Sequence, residues 1–269
     1  MQQIRQPAVA GSFYPGQKQT LENDVAIMLE TARLQAEIQP PPKAIIVPHA
    51  GYIYSGPIAA SAYTQLANVS DIIKRVVLLG PVHHVAVRGL ALPDVATFST
   101  PLGEIQVDLN AAASIENMPQ VCHSTAAHAP EHSLEVQLPF LQSVLEEFTL
   151  VPLAVGNATA QEVAEVLEVL WGGPETLIVI SSDLSHFLPY QTAQIVDGHT
   201  AQDILSLHGP LQHDQACGGT PINGLMLAAK HHRLQPHLLD LRNSGDTSGD
   251  KNRVVGYASF SFTETNDEQ

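Results

Sequence analysis

The sequence predicts an α/β fold: a single domain with a central mixed, mostly parallel sheet flanked by helices. Short aliphatic runs at 44–47, 75–79 and 176–180 have no polar face, as strands covered on both sides require. Amphipathic stretches at helical spacing separate these runs, in the manner of strand-helix-strand crossovers. No linker, internal repeat or low-complexity tract divides the 269 residues, so one domain spanning 1–269 is expected.

Composition narrows the function. Hydrophobic residues at 44% with 14% charged describe a globular chain. Twelve Lys and Arg against 27 Asp and Glu give a net charge of -15, which repels phosphate backbones and anionic bilayers. Nucleic acid and membranes are therefore not expected as partners. The N-terminal residues lack the apolar core of a signal peptide, and a cytoplasmic location is expected. Cys122 and Cys217 make no disulfide framework, so both are expected as free thiols. Thirteen histidines outnumber the 12 Lys and Arg, a bias that points towards metal chemistry.

Taken in order, residues 5–17 are too rich in Pro and Gly for a helix and form a packed loop around Phe13 and Tyr14. An amphipathic helix over 19–36 follows, stopped by Pro40, Pro41 and Pro42. The strand at 44–47 runs through Pro48 into His49, inside a turn that holds Gly51 and Tyr52. Pro57 then suits the first position of a helix over 57–67. The strand at 75–79 leads into Gly80-Pro81-Val82-His83-His84. Segments 89–92 and 104–107 flank a Pro/Gly turn and read as an antiparallel excursion, after which Asp108 caps a helix reaching 117. Residues 122–135 are dense in ligand-type side chains. Glu131, His132 and Glu135 fall at the first turn of a helix over 134–148, where they either serve a site or complement the helix dipole. His123 and His128 read as ordinary loop polarity.

A strand at 149–156 and a helix at 160–171 precede the strand at 176–180, which ends in Ser181-Ser182-Asp183-Leu184-Ser185-His186. The helix over 191–207 carries Asp197, His199 and Asp203 on what reads as a solvated face. Cys217 lies just before a helix with Thr220 as cap and Pro221 at the first position, a place that favours thiolate; nucleophile, soft metal ligand and small buried hydrophobe all stay open. Strands at 237–241 and 253–262 enclose a turn-rich loop at 243–250, and residues 263–269 read as a frayed tail. Ligands of open α/β sheets bind beyond the carboxyl ends of the strands. Three strands here end in histidine on one rim, at His49, at His83 or His84, and at His186.

Five motifs then stand in order along nearly the whole chain. They are Pro48-His49-Ala-Gly51-Tyr52, Leu79-Gly80-Pro81-Val82-His83-His84, Glu131-His132-Ser133-Leu134-Glu135, Ser181-Ser182-Asp183-Leu184-Ser185-His186 and Cys217-Gly218-Gly219-Thr220-Pro221-Ile222. Together they resemble the Memo family, named for mediator of ErbB-driven cell motility and known in bacteria and archaea as protein B of the AmmeMemoRadiSam system. The resemblance implies a class III extradiol dioxygenase-like fold, with His49, His83 and Cys217 as metal ligands around iron or copper. It places Asp183 and His186 in the pocket, with His186 as acid/base and Asp183 orienting it or holding a water. Tyr52, His84, Glu131, His132 and Ser182 complete the expected pocket. A small molecule or a peptide is the expected occupant, and AMMECR-like and radical-SAM proteins are the partners the resemblance implies. Family members often carry a basic pair where this chain has Gly219 and Thr220, so a different pocket entrance is expected.

The resulting expectation is a metal-dependent oxidoreductase acting on a small substrate. Cysteine replaces the carboxylate of the ring-cleaving enzymes, so little ring cleavage is expected. Zinc-activated hydrolysis uses a similar donor set. A non-catalytic binding or signalling protein built on the same pocket is the alternative. A metal-free hydrolase using Cys217 or Ser182 with His186 and Asp183 ranks last, because neither serine of 181–182 sits in a nucleophile elbow.

Overall fold

A computed structural model describes residues 4–37, 39–247 and 249–265. Its first half comprises β1 (Ile4–Arg5), α1 (Lys18–Gln35), β2 (Pro42–Val47), α2 (Tyr52–Tyr63), β3 (Arg75–Pro81), β4 (Leu90–Leu92), β5 (Thr97–Thr100), β6 (Gly103–Gln106), α3 (Leu109–Ile115) and β7 (Val121–His123). The rest comprises α4 (Thr125–His128), α5 (His132–Glu135), α6 (Leu138–Val144), β8 (Thr149–Val155), α7 (Ala160–Leu170), β9 (Thr176–Ser181), β10 (His186–Leu188), α8 (Tyr190–Leu205), α9 (Gly219–His231), β11 (Leu234–Asn243), α10 (Ser244–Thr247) and β12 (Val254–Glu264).

The strands with aliphatic runs form the middle of a nine-stranded mixed sheet, in the order β10-β12-β2-β9-β3-β8-β4-β7, with β11 also paired to β12. The run β2-β9-β3-β8 is parallel throughout, whereas β12 pairs antiparallel with β2, β10 and β11. Side chains alternate across a strand, so each run feeds two cores. Ile45 and Val47 of β2, with Val76 and Leu78 of β3, pack beneath Leu21, Tyr63 and Phe140. Ala44, Ile46, Val77 and Leu79 face the other way, against Val163, Leu167, Ile222 and Leu225. This two-faced burial is why the middle of each of those strands is aliphatic, with polar residues such as Lys43, Arg75, Thr176 and Ser181 only towards the ends. A separate three-stranded sheet, β1-β5-β6, contains the expected antiparallel excursion, but its arms are β5 and β6 around Pro101 and Leu102. The 89–92 segment joins the main sheet instead, as β4.

Proline explains two further departures. The helix expected from Pro57 starts at Tyr52, with Pro57 inside it. The missing Pro57 N–H leaves the carbonyl of Ile53 without its helical partner, on a residue that is 76% exposed. The helix expected over 134–148 is two pieces, α5 and α6, because Pro139 cannot donate back to Glu135. Asp197, expected on a solvated face, is buried and accepts a hydrogen bond from Ser185 N at 3.0 Å. Thr263 and Glu264, expected in a frayed tail, are the last residues of β12; the 266–269 part of that tail lies outside the described residues. Among the described residues, no helix is long and apolar enough to cross a membrane.

Candidate metal centre

His49 lies two residues past β2, and its backbone N–H donates to Asp183 Oδ1 at 2.7 Å. Its Nδ1 lies 2.9 Å from Ser181 Oγ. That hydroxyl donates to the Ser133 carbonyl at 2.6 Å and also receives the Gln137 amide at 2.8 Å. With its hydrogen already committed, Ser181 Oγ acts as an acceptor for the ring, so His49 carries its proton on Nδ1 and leaves Nε2 as a lone pair.

His83 is prepared in the same way from a different direction. Glu131 accepts from His83 N at 2.6 Å, from His83 Nδ1 at 2.9 Å and from Ser133 N at 2.9 Å. A carboxylate behind Nδ1 fixes the tautomer and presents Nε2 forward. The same Glu131 oxygen lies 3.3 Å from His132 Nδ1. The three rings converge, with centroids 5.2 Å apart for His49 and His83, 5.4 Å for His49 and His132, and 4.6 Å for His83 and His132. One nitrogen from each ring lies within 4.8 Å of the others. Both His83 and His84 are exposed, but His83 is the member of the pair that joins the cluster, whereas the His84 ring stands 6.0 Å from that of His132.

The sulfur of Cys217 lies 3.3 Å from His49 Nε2, beside this group of three imidazoles and not within its 4.8 Å cluster. Cys217 precedes α9, whose N-cap is Gly218 and whose first residue is Gly219, so the expected Thr220 cap is not used. Gly218 is needed for the approach: a Cβ there would fall 2.6 Å from the Ser182 side chain. The thiolate expectation fails before any ion binds. Burial, reinforced by the negative field of Asp183, pushes the thiol up to about 12, and the helix terminus does not offset this. A coordinated cation reverses such a shift outright.

Electrostatics favour the neutral form at His49 and His132. Burial, together with the adjacent His132 and His83, drives His49 well below the usual histidine range. Burial also holds His132 at about 4. For Glu131, burial opposes the charge, but the hydrogen bonds from His83 and Ser133 prevail and hold it at about 2. Burial raises Asp183 to about 6, against hydrogen bonds from the backbone of His49 and Ala50.

Other expected members stand elsewhere. Asp183 serves the His49 backbone, whereas the His186 ring is set by the Leu184 carbonyl, 2.9 Å from Nδ1, and lies exposed at the mouth. Tyr52 is not a pocket residue. As the first residue of α2 it turns inward between Tyr14 and Phe140, and its hydroxyl donates to the Val136 carbonyl at 2.7 Å. Ser182 Oγ donates to the Asp183 carbonyl and accepts from Gly218 N, and the imidazole against Cys217 is His49; among the described hydrogen bonds neither Ser182 nor Cys217 is paired with His186. Sequence reasoning missed Ser181 and Gln137, whose buried side chains tie the ends of β2 and β9 to α5. It also missed Phe13, whose ring lies 4.8 Å from that of His132.

The donor set fits a transition ion. Convergent imidazoles, with the tautomers of His49 and His83 set by their Nδ1 partners, and a thiol beside His49 suit zinc, copper or iron, and the groups behind Nδ1 of His49 and His83 are those that metal-binding histidines use. Fold and site together define an α/β protein with a histidine-rich candidate metal group beyond the parallel strands.

Comparison with known proteins agrees with that class. The family model described as Memo-like protein matches residues 5–261. A MEMO1 family protein of Aquifex aeolicus is 35% identical, covering 96% of this chain and 99% of its own. One from Sulfurisphaera tokodaii is 34% identical with the same coverage, and one from Methanosarcina mazei 35% over 96% and 98%. An uncharacterized protein of Escherichia coli K12 shares the fold, with a TM-score of 0.51, 12% identity and coverage of 81% of this chain and 98% of that one. The chain belongs to the Memo-like protein family.

Proposed function

We propose that the protein binds one iron or copper ion through His49, His83 and Cys217, with His132 as a further nitrogen donor beside them, and uses it in an oxidoreductase reaction on a small substrate. The observation that carries this reading is the pair of committed Nδ1 atoms, one behind Ser181 and one behind Glu131, which leaves two Nε2 lone pairs in a cluster with His132, while the Cys217 sulfur lies 3.3 Å from His49 Nε2. Sulfur favours soft or redox-active ions, and imidazole suits copper and iron. When bound, the ion would supply the Lewis-acidic and redox-active centre.

The remaining work belongs to the chain. Ser181 and Glu131 hold the ring tautomers. Asp183 fixes the loop that carries His49. The half of the His186 ring not tied to Leu184 is free at the mouth to carry a proton between substrate and solvent. Untagged protein, reconstituted anaerobically with Fe(II) or Cu(I) and dialysed, is expected to retain about one ion per chain, and His49→Ala and Cys217→Ser to retain much less. Oxidation of the copper form is expected to give an intense sulfur-to-copper absorption that Cys217→Ser lacks. Retention of zinc alone, or full retention in both variants, would overturn the proposal.

A further inference from the structure

A second gathering of donors stands at the end of α9 remote from Cys217. Glu168 is in the last turn of α7, His231 is the last residue of α9 and His232 is its C-cap. The two helices meet closely, since a methyl group at position 224 would fall 2.3 Å from Val163 Cγ1, and Gly224 removes that clash. The approach sets His231 Nδ1 2.9 Å from Glu168 Oε1 and His232 Nε2 2.9 Å from Glu168 Oε2. One donor atom from each residue lies within 4.8 Å of the other two. Trp171 stacks on the His232 ring, with centroids 3.7 Å apart and planes 9° from parallel, and so fixes its orientation. Thirteen residues of helix separate this cluster from the strand-end centre, about 20 Å along the axis.

We propose that Glu168, His231 and His232 form a second, surface site for a divalent first-row transition ion such as nickel or zinc. Two imidazole nitrogens and one carboxylate oxygen are a common donor set for such ions, and water completes the coordination on the exposed side. The ion occupies the space now bridged by two hydrogens, each imidazole carrying its proton on its other ring nitrogen instead. The net charge of -15 raises the local concentration of cations.

Trp171 is the chain's single tryptophan, so its fluorescence reports on this site directly. Titration with nickel(II) is expected to quench it saturably, both in the native chain and in a His49→Ala/His83→Ala double variant that disables the strand-end centre. Excess zinc(II) is expected to restore the emission by displacement. His231→Ala and Glu168→Gln leave the Trp171–His232 stack in place and are expected to raise the half-quenching concentration at least about tenfold. Circular dichroism of both variants should match the native chain, since both positions lie on the surface. Absence of saturable quenching, its loss in the double variant, or unchanged half-quenching in both surface variants would overturn the site.

Discussion

Two sets of donors stand at opposite ends of α9, and the position of the carboxylate separates them. At the strand ends Glu131 lies behind the imidazoles, its side chain 1% exposed and held by backbone N–H groups. At the surface Glu168 lies among its imidazoles, 35% exposed, with no backbone donor on it among the described hydrogen bonds. The same residue types therefore do different work. A carboxylate enclosed by protein orients the ligands in front of it, and one reached by water is free to be a ligand itself.

The largest expected effect comes from a carboxylate that touches none of the clustered imidazoles. Glu135 is fully buried, paired with Arg5, and accepts from Ala8 N, Val9 N and the Tyr14 hydroxyl. Glu135→Ala leaves Arg5 charged and unpaired, and is expected to cost about 3–5 kcal/mol in denaturant unfolding. A loss below about 1 kcal/mol would show that enclosure alone does not make a carboxylate structural.

Glu131→Ala is the direct test of orientation. It frees both the His83 and His132 rings and is expected to weaken metal retention by about 10–100-fold, measured by competition with a chelator. Native affinity in that variant would break the distinction between orienting and ligating carboxylates.

His128 isolates the effect of burial on an imidazole outside both sets. Its Nε2 bonds the Ala91 carbonyl at 2.8 Å, and burial lowers its pKa to about 4. Because the unfolded chain holds this proton more tightly, stability is full above pH 6.5 and falls as the pH drops towards 4. His128→Gln is expected to remove roughly 2–3 kcal/mol of that acid sensitivity. Identical pH profiles for the variant and the native chain would contradict it. Glu168→Gln gives the smallest effect, within about 0.5 kcal/mol of native stability, as its partners are exposed. A larger change would mean that the surface cluster supports the fold.

Much of this arrangement was legible in the sequence, for a physical reason. A strand buried on both faces must be aliphatic to its end, so the polar residue that follows marks the rim; His49 and His83 were found in this way. The reading failed where side-chain identity does not report tertiary packing. Asp197 has the spacing of an exposed helix residue, yet β12 covers it so closely that a Cβ on Gly256 would fall 2.0 Å from its carboxylate. Tyr52 was expected in a glycine-rich turn, and its position at the start of α2 sends it into the core. The state of the Cys217 thiol was misjudged because the helix terminus was weighed without Asp183 and without burial. Ser181 carried no signal beyond its place in a serine pair, since its role depends on Gln137 and Ser133 arriving from elsewhere.

The Gln137 amide joins the Pro48 carbonyl, at 2.9 Å, to Ser181 Oγ, at 2.8 Å, and so ties together residues about half a chain length apart. A polypeptide still emerging from the ribosome has His49 and His83 long before it has Ser181, and Cys217 later still. On the proposed reading, ion capture at the strand ends would await the completed molecule, and unfinished chains would be spared premature loading.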